Sequence, residues 1–337
     1  MAVSRGSHFF INPGPTNIPD RILRAMDRGA IDFTGAQFRG IAEECFAGLK
    51  RVFKTDETIL AYAASGHGAW EAALVNLFSP GDKLLVVESG FFSLNWGMRG
   101  EAFGLEVETL PNDWRTAADP AKLESHLRED RAHAIKAVLV VHNETSTGVV
   151  NDVAALRRAI AATAEAKLPR VYWDWRRLLG GTSQSVWNGT APVHFFYGLQ
   201  EALRMLEEEG LDEVFARHHR LAEATRRAVR AWRQNDGPEI YAIDPRAQSD
   251  SITAVQLPER YDADKTRQVC LDKFNVSLGG GLDRLRGRII RIGHLGDLNE
   301  PMILGAIAAV EMALELTGVP HGRCGVQAAM DSLVSGD

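Results

Sequence analysis

Ile135–Gly148 reads IKAVLVVHNETSTG, an apolar run that ends abruptly in polar and small residues. Apart from Lys136, an apolar, β-branched run of this length suits a strand of a parallel sheet, which is buried on both faces. Similar segments precede it at Thr58–Ala63 (TILAYA), Lys83–Val87 (KLLVV) and Glu106–Leu110 (EVETL). Helical patterns alternate with them, at Ala69–Leu77 and again at Asn151–Glu165. In the latter, Val153, Leu156 and Ile160 recur at helical spacing and Asp152 complements the dipole of the first turn. Strands alternating with helices predict βαβ units: an α/β fold with a mostly parallel sheet and flanking helices. Ligands collect at the carboxyl ends of such strands, which makes His142–Gly148 (HNETSTG) a candidate binding loop. A polar loop that caps the next helix explains it equally well.

The second half changes character. Val193–Leu206 and Leu211–Gln234 read as helices, the second with Val214, Leu221, Ala228 and Trp232 on one face. Ile252–Leu257 and Arg288–Ile292 read as strands, and Thr266–Phe274 and Pro301–Leu316 as helices. The expected organisation is an N-terminal segment (1–20), a large domain (21–235) and a smaller C-terminal α+β domain (236–337).

A net charge of −6 over 337 residues argues against nucleic acid or an anionic membrane as partner. Cys45, Cys270 and Cys324 are too scattered for a metal knuckle or a disulfide framework, so no metal is expected and the setting reads as cytoplasmic. Neither a signal peptide nor an apolar run of membrane-spanning length is visible. His218 and His219 are adjacent and cannot form a helical metal pair, and the arginine-rich helix around them reads as a solvated face.

Two further stretches carry chemistry. Ser65-Gly66-His67-Gly68 opens a helix, where unpaired backbone N–H groups suit a phosphate, although it matches neither a dinucleotide fingerprint nor a Walker loop. An ordinary βα turn accounts for it locally. Arg288–His294 (RIIRIGH) sets Arg288 and Arg291 on opposite faces of a strand. One can be solvated while the other points inward to meet a carboxylate, from the protein or from a substrate.

In combination these stretches resemble the class V aminotransferases, fold-type I pyridoxal-phosphate enzymes, and among them the alanine/serine/aspartate–glyoxylate branch. Asn12–Pro19 (NPGPTNIP) resembles that family's N-terminal substrate loop, and Ser65–Leu74 (SGHGAWEAAL) its phosphate loop. Gly90-Phe91-Phe92 falls where the family stacks an aromatic ring on the cofactor. HNETSTGV resembles a cofactor-touching loop, and Trp187–Pro192 (WNGTAP) a segment that reaches the neighbouring subunit's phosphate. RIGHLG resembles the strand with the substrate-carboxylate arginine. The resemblance implies pyridoxal 5'-phosphate as cofactor, an amino acid and a 2-oxo acid such as glyoxylate as substrates, and a homodimer. It assigns Ser65, Gly66, His67, Phe92, Thr145, Trp187 and Thr190 to the cofactor, and Gly14, Asn143 and Arg291 to the substrate.

The departure lies in Ala161–Arg177, AATAEAKLPRVYWDWRR. The family places a pyridine-pairing aspartate and then a Schiff-base lysine, in a Gly-Ser-Gln-Lys type of turn, after the preceding helix. Here that helix runs straight into a segment that resembles the family's chain well beyond the lysine. Two or three strand–helix steps are missing, on the order of 50 residues. Lys167, in a helical tail, and Asp174 are poor substitutes, so no catalytic residue is assigned. The sheet is expected to be incomplete, with an uncovered edge. Three readings stand at this point: a transaminase, an inactive homologue that binds cofactor or carboxylate, and a deletion product.

Overall fold

The computed structural model describes residues 8–157 and 191–335. The run that opens HNETSTG is strand β4 (Ile135–Leu139). It lies in a parallel sheet with β2 (Lys83–Val87) and β3 (Glu106–Leu110), in the order β3-β2-β4. Alternation along β2 feeds two cores. Leu84 and Val86 pack with Leu74, Val75 and Phe78 of one layer, while Leu85 and Val87 pack with Leu123 and Leu156 of the other. All four β2 side chains are buried, each worth roughly 1.5–3 kcal/mol relative to exposure. That double burial is why the strand reads as a continuous apolar run.

Helix α4 (Phe91–Ala102) connects β2 to β3, and α5 (Pro120–Glu129) connects β3 to β4. Gly97 and Gly100 let α4 lie close on the sheet; a Cβ at Gly97 would meet Val86 at 2.8 Å. Helix α3 (Gly66–Leu77) precedes β2. Helices α1 (Asp20–Met26) and α2 (Ala36–Phe53) pack with α7 (Val193–Glu209), where Phe38, Cys45, Phe196, Tyr197 and Leu203 form a separate core.

Thr58–Ala63, read as a strand, forms no ladder among the described residues, although Ile59–Tyr62 are half-buried. Strand propensity reflects how side chains fit a pleated surface and cannot supply the neighbouring strand. The helix expected at Asn151–Glu165 begins as α6 (Val153–Arg157); its remainder lies outside the described residues, as do Lys167, Asp174, Trp187 and Thr190.

The second sheet has the order β1-β9-β10-β8-β7. Strand β1 (Phe9–Ile11) runs parallel to β9 (Val276–Gly280); β10 (Ile289–Gly293), β8 (Ile252–Gln256) and β7 (Glu239–Ile240) complete it in antiparallel pairs. Helices α8 (Leu211–Trp232), α9 (Ala263–Phe274), α10 (Glu300–Leu316) and α11 (Gly325–Ser335) share its apolar core. The stripe Val214, Leu221, Ala228 and Trp232 is buried as the spacing predicts. Ile290 and Ile292 of β10 join this core, which turns Ile289 and Arg291 to the opposite face. There Ile289 meets Phe91 and Leu94 of α4, Trp114 and Tyr241. This face of the second sheet thereby packs against the start of α4. Among the described residues, no helix is long and apolar enough to cross a membrane.

Candidate active site

The register of β2 and β4 decides what meets at their carboxyl ends. Val86 pairs with Leu139 in parallel, so Glu88–Gly90 and the HNETSTG loop leave the sheet at the same edge. That loop folds as a short hairpin, β5 (Asn143–Glu144) against β6 (Val149–Val150), closed by Gly148 at φ +74°. At its tip the backbone N–H groups of Thr147 and Gly148 donate to the Glu144 carbonyl.

Glu144 turns inward beneath the start of α4 and is fully buried. Its carboxylate accepts from the backbone N–H of Phe92 at 3.3 Å, of Ser93 at 3.1 Å and of Ser146 at 3.1 Å, and from the Ser146 hydroxyl at 2.6 Å. The Ser146 hydroxyl oxygen accepts from Phe91 N–H at 3.0 Å. An acidic side chain here complements the positive end of the helix dipole and satisfies N–H groups that have no partner within the helix. Burial pushes the Glu144 carboxyl above its usual range, opposed by the hydrogen bonds from Ser146, Ser93 and Phe92. Gly90 is what admits it: a Cβ there would lie 2.5 Å from both Glu144 Cγ and Ser146 Oγ. Gly90→Ala should therefore destabilise the fold by about 1–3 kcal/mol through overpacking, seen as a lower urea midpoint at unchanged slope.

The phosphate-loop candidates sit at the neighbouring helix start. Ser65 is the N-cap of α3 and its side chain caps no backbone N–H; Ser65 and Gly66 are exposed and His67 is half-buried. The His67 ring lies 6.1 Å from that of Phe92 and 4.9 Å from that of Trp70, and Trp70 stacks on Trp96 at 5.3 Å. The fold thus places the start of α3 and Phe92 side by side in an aromatic cluster.

Arg291 projects from β10 toward the hairpin. It is 8% exposed, whereas the Arg288 side chain on the opposite face is 53% exposed. Arg291 Nε donates to the Gly280 carbonyl at 2.7 Å and Nη1 to the Thr145 carbonyl at 3.0 Å. It meets no carboxylate partner among the described residues. Burial lowers its pKa to about 10, helped by the like charge of Arg267 and opposed by Glu144. Thr145, assigned to the cofactor by the resemblance, meets Arg291 through its backbone carbonyl.

The N-terminal segment crosses directly over this arginine. A Cβ at Gly279 would meet Pro13 at 2.9 Å and Arg291 Cβ at 3.1 Å, and a Cβ at Gly293 would meet the Asn12 carbonyl at 2.4 Å. Gly14 follows at φ +130° and is exposed. Asn143 Nδ2 donates to the Ser251 hydroxyl at 2.8 Å, while its Oδ1 is buried without a hydrogen-bond partner. Asn143, Thr145 and Arg291 are therefore brought to one region, with Asn12 and Pro13 packed against the same strands, while Gly14 stays exposed. Sequence reasoning singled out the loops that hold Glu144 and Asn12 but gave neither residue a role of its own. No local pattern marks the former, because its helix partners lie more than fifty positions away.

The sequence profile of the family described as aminotransferase class V matches residues 8–168 and 178–283. The chain belongs to the class V aminotransferases. Among its relatives in the family, the serine–glyoxylate aminotransferase of Methylorubrum extorquens is 37% identical, with 93% of this chain and 92% of the relative covered. The L-aspartate–glyoxylate aminotransferase of Paracoccus denitrificans is 32% identical, with 91% of each chain covered. The fold matches the crystal structure of pyridoxamine–pyruvate aminotransferase from Mesorhizobium loti with a TM-score of 0.86, at 20% identity and covering 98% and 97% of the two chains. Such neighbours are fold-type I aminotransferases, and the mostly parallel α/β architecture is theirs. The Methylorubrum alignment extends over 375 positions, more than the 337 residues of this class V chain, so the relative carries residues with no counterpart here. The profile match is interrupted at Pro169–Arg177, the junction singled out in the sequence.

Proposed function

We propose that this class V aminotransferase is of the glyoxylate type, taking an amino group from alanine, serine or aspartate to a small 2-oxo acid. Arg291 carries this reading. A buried guanidinium held by two carbonyls and offset by no carboxylate among the described residues is a receptor for a substrate's carboxylate.

The class V family implies pyridoxal phosphate, and the described donor set fits its two ends. The start of α3, with Ser65, Gly66 and His67, offers backbone N–H groups and a hydroxyl to the phosphate, and Phe92 offers an aromatic face to the ring. Bound there, the cofactor supplies the electron sink for moving an amino group. Around it, Arg291 orients the substrate carboxylate, Asn143 and the Asn12–Gly14 crossing line the pocket, and Thr145 holds Arg291. Trp187 and Thr190 keep their proposed cofactor roles from the resemblance alone, as does the homodimer; the proposed cytoplasmic setting rests on the scattered cysteines.

Transamination also needs a lysine that attaches the cofactor and moves a proton. None of the described lysines belongs to the segments that form the cluster, and Lys167 is the only lysine between Lys136 and Lys265. The length of the Methylorubrum alignment supports a second reading: the lysine-bearing segment is missing, and the chain holds cofactor and carboxylate non-covalently. Borohydride reduction with pyridoxal phosphate, and then peptide mass spectrometry, separates the two. One stoichiometrically modified lysine supports transamination. Cofactor retained through dialysis with no modified lysine supports the binding protein. Loss of cofactor without modification defeats both.

A further inference from the structure

Three features lie outside the roles given to the pocket so far: the cavity between the N-terminal crossing and the start of α10, the buried His294, and the buried Glu144. The cavity, about 370 Å³, is bordered by Phe9, Ile18, Leu298 and Met302 with Asp20 and Asp297, and nothing shows what fills it. His294 is satisfied by Thr253 and the Asp250 carbonyl. Glu144 carries more, because its bonds join the two halves of the pocket.

We infer that Glu144 is a positioning residue that fixes the Phe92 face and the Arg291 guanidinium relative to one another. The inference rests on the reading of Phe92 as ring platform and Arg291 as carboxylate receptor. One carboxylate holds the N–H groups of Phe92 and Ser93, and so sets how α4 presents the Phe92 ring. The same carboxylate holds Ser146 N–H and hydroxyl, which closes the hairpin tip around Thr145. The Thr145 carbonyl in turn holds Arg291 Nη1. The chain of contacts therefore runs Phe92–Glu144–Ser146/Thr145–Arg291, with the Glu144 carboxylate bonded both to the helix start and to the hairpin. Ser146 braces it from the hairpin side by accepting from Phe91.

A neutral amide cannot reproduce this. Three backbone N–H groups and a hydroxyl converge on the two oxygens of Glu144. The glutamine side chain offers one oxygen, and its amide group would face donors. Glu144→Gln should displace both ends of the pocket while leaving the volume of the side chain unchanged. Asn151 supplies the control. It directly follows the hairpin, is buried, accepts from Ala118 N–H and donates to the Val141 carbonyl, and among the described residues shares no hydrogen bond with Phe92 or Arg291.

The test measures binding of pyridoxal phosphate and of glyoxylate to the full chain, by calorimetry or tryptophan fluorescence. The proteins are wild type, Glu144→Gln, Glu144→Asp, Asn151→Ala, Arg291→Lys and the Glu144→Gln/Arg291→Lys pair. Expected results are a roughly tenfold or greater loss for both ligands in Glu144→Gln, part of it restored in Glu144→Asp, and no more than about a twofold change in Asn151→Ala. Glyoxylate losses in the pair should fall short of the product of the single losses, because both changes act through one contact chain. Glu144→Gln binding both ligands as wild type does, or Asn151→Ala losing as much as Glu144→Gln, overturns the positioning role. Multiplicative losses in the pair overturn it as well. If wild type binds neither ligand, the reading of the pocket fails first and this inference falls with it. If Glu144→Gln fails to fold, Glu144→Asp and the Ser146→Ala variant decide: wild-type affinities in both overturn it.

Discussion

Arg291→Met should weaken glyoxylate binding by roughly 30-fold or more and at the same time raise the unfolding temperature. The two effects share one cause. A guanidinium in this position is desolvated by the sheet and by the N-terminal crossing, and two carbonyls return only part of what water gave it. The lowering of its pKa to about 10 shows the sign: burial disfavours the charged form, and the penalty persists at every pH below that value, neutrality included. Replacing buried ion pairs by apolar side chains of similar volume is often neutral or stabilises a fold by about 1–4 kcal/mol, and Met at position 291 removes a desolvation cost of the same kind. Loss of a charge-assisted, two-pronged contact with a carboxylate should weaken binding by about 2–5 kcal/mol, or roughly 30-fold to several thousand-fold. Thermal unfolding and glyoxylate titration check both. A variant that binds glyoxylate normally would remove Arg291 from the site. One that unfolds at a lower temperature would mark it as a structural arginine.

Acid should weaken the fold before the carboxylates titrate, and His294 should be the reason. Its ring is fully buried against the Thr253 hydroxyl at 2.9 Å and the Asp250 carbonyl at 3.0 Å. Burial lowers its pKa from 6.5 to about 3; the nearby charges of Arg226 and His218 add to this, and Asp250 opposes it. The folded-state pKa lies below the unfolded one, so the unfolded chain takes up the proton first. Stability is complete above pH 6.5 and declines as pH falls toward 3. Within that window the decline from this group is about 1.4 kcal/mol per pH unit. His294→Gln keeps hydrogen-bonding capacity but does not titrate. Its urea-unfolding free energy should change less steeply than that of wild type between pH 6.5 and about pH 5. Equal slopes in the two proteins would place the acid sensitivity elsewhere.

Both effects trace to residues whose type is plain in RIIRIGH but whose state is not. The alternation of that strand told that Arg288 and Arg291 part company, and the structure has the first half-exposed and the second buried. Which of them would turn inward was decided by Ile290 and Ile292, which enter the helix-covered core, and by Gly279 and Gly293, which let Asn12 and Pro13 close over the other face. The segment KLLVV was legible for a similar reason: nearly all of its side chains are buried, so composition alone carries the signal. TILAYA has strand composition and forms no ladder among the described residues. A strand is a property of two segments, and only one of them is written in any local stretch.

Residue order along the chain was enough for the α/β pattern, the family likeness in the loops, and the junction at AATAEAKLPRVYWDWRR where an expected lysine turn does not appear. These are encoded by local periodicity and by residue types in succession. Packing in three dimensions settled which loops share an edge, that Phe92 lies beside His67, that Arg291 is held by the Thr145 carbonyl, and that Glu144 binds the helix start to the hairpin. Those facts depend on strand register and on the glycines that permit close approach, which join residues tens to hundreds of positions apart. The burial that removes water from Arg291, Glu144 and His294, and so disfavours their charged forms, comes from that packing and has no signature in the neighbouring sequence.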